Sequence, residues 1–404
     1  MMNYVLFDDA GWSDLLPLTF TRPACEIRIG ILTIKEKWEK RLKANLSYKT
    51  EKYLSEKFPL SINEKHPITY INGRVCPDSE QILVNEVKKL KVGESLYASD
   101  VIKNLKTGKS QFSTENVVLV AYCSDGLKPL AKDTRKIHSK AMPNVICHPW
   151  DIFMKNSNEL IFDFVLITKN RKSKALSKSN KINGNGIFLE AGAKAENSIF
   201  NITNGPVYLG KDTVVMEGCM VRGGFALCEH GELKMGAKIY GPTTVGPHSK
   251  VGGEVNNSVI IGYSNKGHDG FLGNSVLGEW CNLGADTNNS NLKNNYAEVK
   301  AYNYTQKKMI GTGLQFCGLI MGDHSKTGIN TMLNTGTVVG VNANIFGGSF
   351  PPSHVHSFSW GGSEKMEKYE LHKAFEVAQR VMERRHVDLT DVDKKILKKV
   401  SEQH

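Results

Sequence analysis

The chain has 404 residues, 40% of them apolar, with 37 glycines and a formal net charge of +11 at pH 7. Such a chain is too long and too apolar to be disordered, and its length favours two or three domains with cores of their own. Eight scattered cysteines without a Cys-x-x-Cys pair exclude a disulfide frame and a zinc ribbon, and no apolar run approaches a membrane span, so a cytoplasmic, soluble protein without a membrane partner is expected.

The chain opens with a short strand at residues 4–7, followed by the acidic turn Asp8-Asp9. The stretch 15–23 is bounded by Pro17 and Pro23 and reads as extended rather than helical. A helix is expected after Thr33, which with Glu36 makes a capping box, and its apolar stripe is Ile34, Trp38 and Leu42. Strands are expected at 68–71, 117–122 and 162–167, and their alternation with helices predicts an α/β domain over residues 1–168. The densest cationic stretch follows, with Lys169, Arg171, Lys172, Lys174, Lys178 and Lys181 and no acid. Without interleaved aromatics it reads as a basic linker over 169–186 and not as a nucleic-acid surface; the anionic partners that the charge calls for are small phosphorylated molecules.

From residue 187 the period changes. Leu209, Val215, Val221, Leu227, Leu233, Ile239, Val245 and Val251 recur at every sixth position, and Met321, Thr327, Leu333, Val339 and Ile345 form a second such series. Helices repeat near 3.6 and half-buried strands at 2, so six points to hexapeptide repeats of a parallel β-helix, each hexad giving one short strand and one turn. A glycine-rich β-sandwich with fortuitous spacing is the alternative. The solenoid is expected over 187–349, interrupted by an Asn-rich excursion at 288–308 on the binding face. Phe350-Pro351-Pro352 ends it, and a helical extension over 350–404 follows. One helix is expected at 364–385, and a second begins after Thr390 with Asp393 at the third position.

The chemistry-bearing passage is Gly267-His268, Leu272-Gly273, Gly278, Asn282, Gly284-Ala285, Thr287 and Asn291. This run resembles the acetyltransferase half of the bifunctional N-acetylglucosamine-1-phosphate uridyltransferase/glucosamine-1-phosphate acetyltransferase family. The resemblance implies a left-handed parallel β-helix, a homotrimer, and acetyl-coenzyme A bound between coils. It places His268 as general base, Asn282 and Asn291 as amino-sugar ligands and Ala285 as an acetyl-coenzyme A contact. Lys266, Lys293 and Lys300 are candidates for gripping the sugar phosphate. Phe271, Leu292 and Ile329 depart from the family's Tyr, Tyr and Ser.

The N-terminal half resembles sugar-1-phosphate nucleotidyltransferases through Leu16-Pro17-Leu18-Thr19 and Arg22-Pro23. With Glu26-Ile27-Arg28-Ile29-Gly30, the two-domain pattern is similar to a divergent subgroup of sugar nucleotidyltransferases with a hexapeptide-repeat C-terminal domain. Arg22 and Arg28 are candidate phosphate contacts. The family's Gly-rich phosphate loop reads here Asp8-Asp9-Ala10-Gly11-Trp12-Ser13-Asp14, and Asn72 stands where the family has its magnesium-binding Asp. The resemblance implies a transferase acting on a sugar phosphate, with a coenzyme A thioester as donor and a nucleoside triphosphate with Mg2+ for nucleotidyl transfer. Two further readings stay open: nucleotidyl transfer alone, with the β-helix as an oligomerisation and regulatory platform, or a non-catalytic sugar-nucleotide scaffold.

Overall fold

The computed structural model describes residues 3–62, 66–104, 109–127 and 134–403. They form two compact units that do not follow chain order: the first holds Met1–Leu15, Arg22–Ile27 and Leu32–Cys147, the second Leu16–Thr21, Arg28–Ile31 and His148–His404.

The first unit is built on a six-stranded mixed sheet in the order Ser47–Lys49, Asn3–Phe7, Ile68–Asn72, Lys109–Ser124, Glu94–Asn104 and Arg135–His138. Asn3–Phe7 runs parallel to both neighbours, and Ile68–Asn72 runs antiparallel to Lys109–Ser124. Helix Ile34–Leu42 starts where the sequence places it, with Thr33 and Glu36 satisfying each other's backbone N–H groups. Trp38 on its buried face donates from Nε1 to the Val75 carbonyl at 2.8 Å.

The strand expected at 162–167 is instead the end of helix Pro149–Thr168, which belongs to the second unit. A short apolar run fits a buried strand or a buried helix equally well. The start of the segment decides it: Pro149 occupies the first turn, and Asp151 Oδ2 accepts from His148 N at 3.0 Å. Asn156 on this helix accepts from Gly30 N at 2.7 Å and donates to Pro242 O at 2.9 Å, while Asp163 accepts from Ile31 N at 2.8 Å. Gly30 has φ +72°, and a Cβ there would lie 2.6 Å from Asp163 Oδ2, so this close approach requires glycine.

The parallel β-helix expected from the hexads, left-handed as the family resemblance implies, forms the body of the second unit. Its longest face is a nine-stranded parallel sheet from Ile187–Leu189 to His354–Val355. Val207 pairs with Phe225 and Phe225 with Thr243, so a coil is 18 residues, or three hexads. All thirteen residues of the two six-residue series are buried, at 5% exposure or less. The first rung, Lys181–Asn183, pairs with Ile199–Asn201 and so lies inside the stretch expected to be linker. Asn288–Asn289 keeps the solenoid register by pairing with Met332–Leu333. The excursion therefore begins after these residues, and it carries the antiparallel hairpin Lys300–Asn303 with Lys308–Gly311.

Of the C-terminal helix expected at 364–385, residues Leu371–Glu383 are helical; Met366–Lys368 forms instead an antiparallel strand against Ser359–Gly361. Asp391–Ser401 is capped by Thr390 and Asp393 as expected. Ala374, Ala378 and Met382 of the first helix and Leu397 and Val400 of the second pack in one cluster with Phe20, Trp280, Val341 and Phe358. Burial of that apolar stripe fastens the extension to the solenoid.

Candidate functional site

Parallel pairing along one face of the solenoid aligns Lys250, Asn265, Asn282 and Lys326 in a single row across four coils. Each is half-buried, whereas the residues that follow them, Val251, Lys266, Leu283 and Thr327, are buried. The row therefore points outward. Neighbouring strands lie about 4.8 Å apart, so it extends for roughly 14 Å.

A cleft of about 670 Å³ runs over this row. His268, at the corner after strand Asn265–Lys266, lines it together with Asn282 and Ala285. Lys234, Lys250 and Lys326 also line it, and Arg384 and Arg385 reach it from the end of helix Leu371–Glu383. Arg385 Nη2 donates to Asn265 Oδ1 at 3.4 Å. Burial pulls the Lys326 ammonium down to about 8, and its Nζ donates to His324 O at 2.8 Å. Lys234 and Lys250 share Glu232, with Lys250 Nζ 2.8 Å from Oε2. Burial pushes that carboxyl up, but the hydrogen bonds and charges of the two lysines outweigh it and hold the pKa below the ordinary range. The surplus of cations suits a phosphorylated ligand.

A ladder of rings runs along the solenoid and meets the cleft at two of its members. His230, His248, Tyr263, Trp280 and His324 sit one per coil in left-handed backbone conformations, with centroids 4.7, 4.7, 4.3 and 6.3 Å apart along the stack. Tyr263 and Trp280 face the cleft, and burial lowers the pKa of His248.

Thus His268, Asn282 and Ala285, grouped by the family resemblance, line one cleft, and the other candidates stand elsewhere. Asn291 is outside the cleft lining, with Nδ2 donating to Asn274 Oδ1 at 2.8 Å. Lys293 Nζ donates to Glu298 O at 2.8 Å, and Lys300 lies in the inserted hairpin. Lys266 points inward and is 2% exposed, so it cannot grip a sugar phosphate in this chain. Arg28 is buried in the second unit, where Nε donates to Ile261 O at 3.2 Å and Nη1 bonds Ile31 O; it fastens backbone rather than presenting a free guanidinium. Arg22 is buried in the first unit, and its carbonyl accepts from Trp12 Nε1 at 3.3 Å.

In the first unit, residues 10–15 form a 3-10 helix where nucleotidyltransferases carry a Gly-rich loop. Asp9 Oδ1 accepts from Arg74 Nε at 2.7 Å and from Gly11 N at 3.0 Å; Oδ2 accepts from Arg74 Nη2 at 2.6 Å and Asn72 Nδ2 at 2.9 Å. Burial raises the Asp9 pKa, but Arg74 and the other donors more than reverse this and leave it low. Asp8 accepts from Thr50 Oγ1 at 2.6 Å and Ala24 N at 3.0 Å, yet burial pushes it up to about 6. Asn72 also donates to Leu119 O at 3.1 Å, and its Oδ1 accepts from Arg74 N at 3.0 Å. With its amide committed in this way, Asn72 does not fit a magnesium ligand. Among the described residues no group of three or more His, Cys, Asp or Glu could hold a metal ion, and no helix is long and apolar enough to cross a membrane.

The family model described as sugar nucleotidyl transferase matches residues 4–172. The bifunctional sugar-1-phosphate nucleotidylyltransferase/acetyltransferase of Sulfurisphaera tokodaii is 36% identical over 96 residues, 24% of this chain and 23% of that protein. Bifunctional protein GlmU of Methanocaldococcus jannaschii is 36% identical over 89 residues, 22% of this chain and 21% of its own. The chain thus matches less than a quarter of the length of these curated relatives. The solved structure of the polySia specific acetyltransferase NeuO aligns with a TM-score of 0.27 and 16% identity, over 48% of this chain and 87% of that one.

Proposed function

We propose that the protein is a sugar-nucleotide pathway transferase whose solenoid cleft moves an acetyl group from acetyl-coenzyme A to the amine of an amino-sugar phosphate of the glucosamine-1-phosphate kind. The observation that carries this reading is the meeting of His268, Asn282 and Ala285 in one cleft edged by Lys250, Lys326 and Arg385.

The amine nitrogen attacks the thioester carbonyl carbon and a C–N bond forms. His268 takes the amine proton, a task suited to an imidazole nitrogen acting as general base. A backbone N–H near Ala285 holds the tetrahedral oxyanion. The C–S bond then breaks, and the leaving thiolate receives the proton from the imidazolium. Asn282 binds the sugar without a charge that would favour the protonated amine, and the cations at the cleft hold phosphates. Asn291, Lys293 and Lys300 lie outside the cleft of their own chain. A homotrimer, with a neighbouring subunit completing the site, accounts for them. The setting proposed is cytoplasmic.

A second reading is favoured by the family match over residues 4–172: sugar-1-phosphate nucleotidyl transfer in the N-terminal region, using a nucleoside triphosphate. The Asn72 position offers no magnesium site, so no step of that reaction is derived through the metal.

The test is thiol release from acetyl-coenzyme A with glucosamine-1-phosphate and then other amino sugars, comparing the wild type with His268→Ala. The rate is expected to fall by about 10²- to 10⁴-fold in the variant. Equal rates would remove His268 from the mechanism. Absence of turnover in both proteins with every amino sugar would favour nucleotidyl transfer.

A further inference from the structure

Lys266 occupies an inward slot that the coils on either side of it fill with apolar side chains. It pairs in register with Val251, and Val251 pairs with Leu233; in the next coil the equivalent residue, after the bridge partner Asn282, is Leu283. All three of those neighbours are buried, and Lys266 is 2% exposed. An ammonium in such a slot loses its hydration. Burial pulls its pKa down to about 8, while the charges of Asp269 and Asp286 oppose the shift. An apolar side chain of similar length would fill the space without that cost.

The ammonium donates to the backbone carbonyl of His268, two residues along the chain. Residues 267–270 need such an anchor. Gly267 has open space where a Cβ would be and leaves the backbone entering His268 little steric restraint, whereas Gly270, with φ +113°, closes the segment against Thr287 O, where a Cβ would lie 2.3 Å away. Asp286 N donates to Asp269 O at 3.1 Å and ties the next residue to the following coil. Gly253, one coil away, makes room: a Cβ there would stand 3.0 Å from Lys266 Nζ and 2.9 Å from His268 O.

We propose that Lys266 is a positioning residue, an ammonium sunk into the solenoid interior that holds the His268 carbonyl and so fixes the direction in which the imidazole enters the cleft. This rests on His268 acting as the base of acyl transfer. Lys266 itself is shut off from the cleft and touches no substrate.

The test is Lys266→Met, which keeps the length of the side chain and removes the donor, with Lys266→Leu as a second variant that copies the neighbouring coil. Two readouts are taken: steady-state acyl transfer, and amide hydrogen exchange of residues 267–270. Both variants are expected to fold. Their kcat is expected to fall by roughly tenfold or more with the KM for acetyl-coenzyme A unchanged, since a misaimed base is felt in the chemical step. Exchange at residues 268–270 is expected to be roughly tenfold faster, as local opening becomes easier. Unchanged kcat and exchange would overturn the proposal, as would variants that fail to fold, which would make Lys266 a residue of core stability. Should the wild type show no acyl transfer, the catalytic reading fails, and exchange alone decides whether Lys266 anchors the segment.

Discussion

The loop at residues 8–14 and the corner at residues 267–270 both place polar side chains where the backbone leaves a strand, and they dispose of them in opposite ways. Around the first, Asp9, Asn72 and Arg74 turn on one another, and each oxygen of the Asp9 carboxylate accepts two of their or Gly11's N–H groups. Around the second, Lys234, Lys250, Lys326, Arg384 and Arg385 converge on a cleft with Glu232 as shared counter-ion for two of them. Polar groups satisfied internally stabilise a fold, whereas cations in surplus beside a cavity have a ligand left to bind. The same family marks in sequence therefore carry different weight in the two places.

The comparison is broken most forcefully at Arg74. Replacing it by Met leaves a largely buried carboxylate without its partner, and since Asp9 retains 28% side-chain exposure a loss of about 2 kcal/mol in stability is expected, read by urea unfolding. Acyl transfer should be unaffected. Undiminished stability with loss of a nucleotide-dependent activity would instead make Arg74 a ligand group and the loop a working site.

Asp8 offers a smaller and sharper test. Its folded pKa is raised to about 6, so the folded state favours the protonated acid; the stability tied to it is present below the ordinary carboxylate pKa and is lost as pH rises through about 6. Asp9, held low by Arg74, has the opposite sign and loses its contribution as pH falls. Asp8→Asn should therefore raise the stability measured at pH 8 and leave it nearly unchanged at pH 4. A variant less stable at pH 8 would mean that the charge of Asp8 is put to use.

The hexads were legible because an inward corner tolerates only a side chain that fills the interior, and that requirement recurs at a fixed spacing. Thr33 and Thr390 were legible as caps because the reciprocal hydrogen bonds need only four residues. His268, Asn282 and Ala285 were singled out through the family resemblance, and all three line one cleft. The direction of Lys266 was not legible: Val251 and Lys266 pair across only fifteen residues, so a count by sixes loses the inward slot where the coil shortens. Lys250 and Lys326 each precede an inward residue and could have been read as an outward row once the coil register was known. Arg384 and Arg385 left no such signal, because they reach the cleft only through packing of the helix that precedes them. The helix Pro149–Thr168 was missed because its apolar run suits either kind of element, and its buried polar residues, Asn156 and Asp163, find their partners far away in sequence.

The most direct measurement is the melting of the full chain with coenzyme A and, separately, with a nucleoside triphosphate plus magnesium, for the wild type and for Arg385→Ala. A ligand at a hundred times its Kd stabilises the folded state by about 2.7 kcal/mol. Assignment of the chemistry to the solenoid cleft predicts a shift of that order with coenzyme A, diminished in the Arg385 variant. A shift with the nucleotide and none with coenzyme A would contradict it.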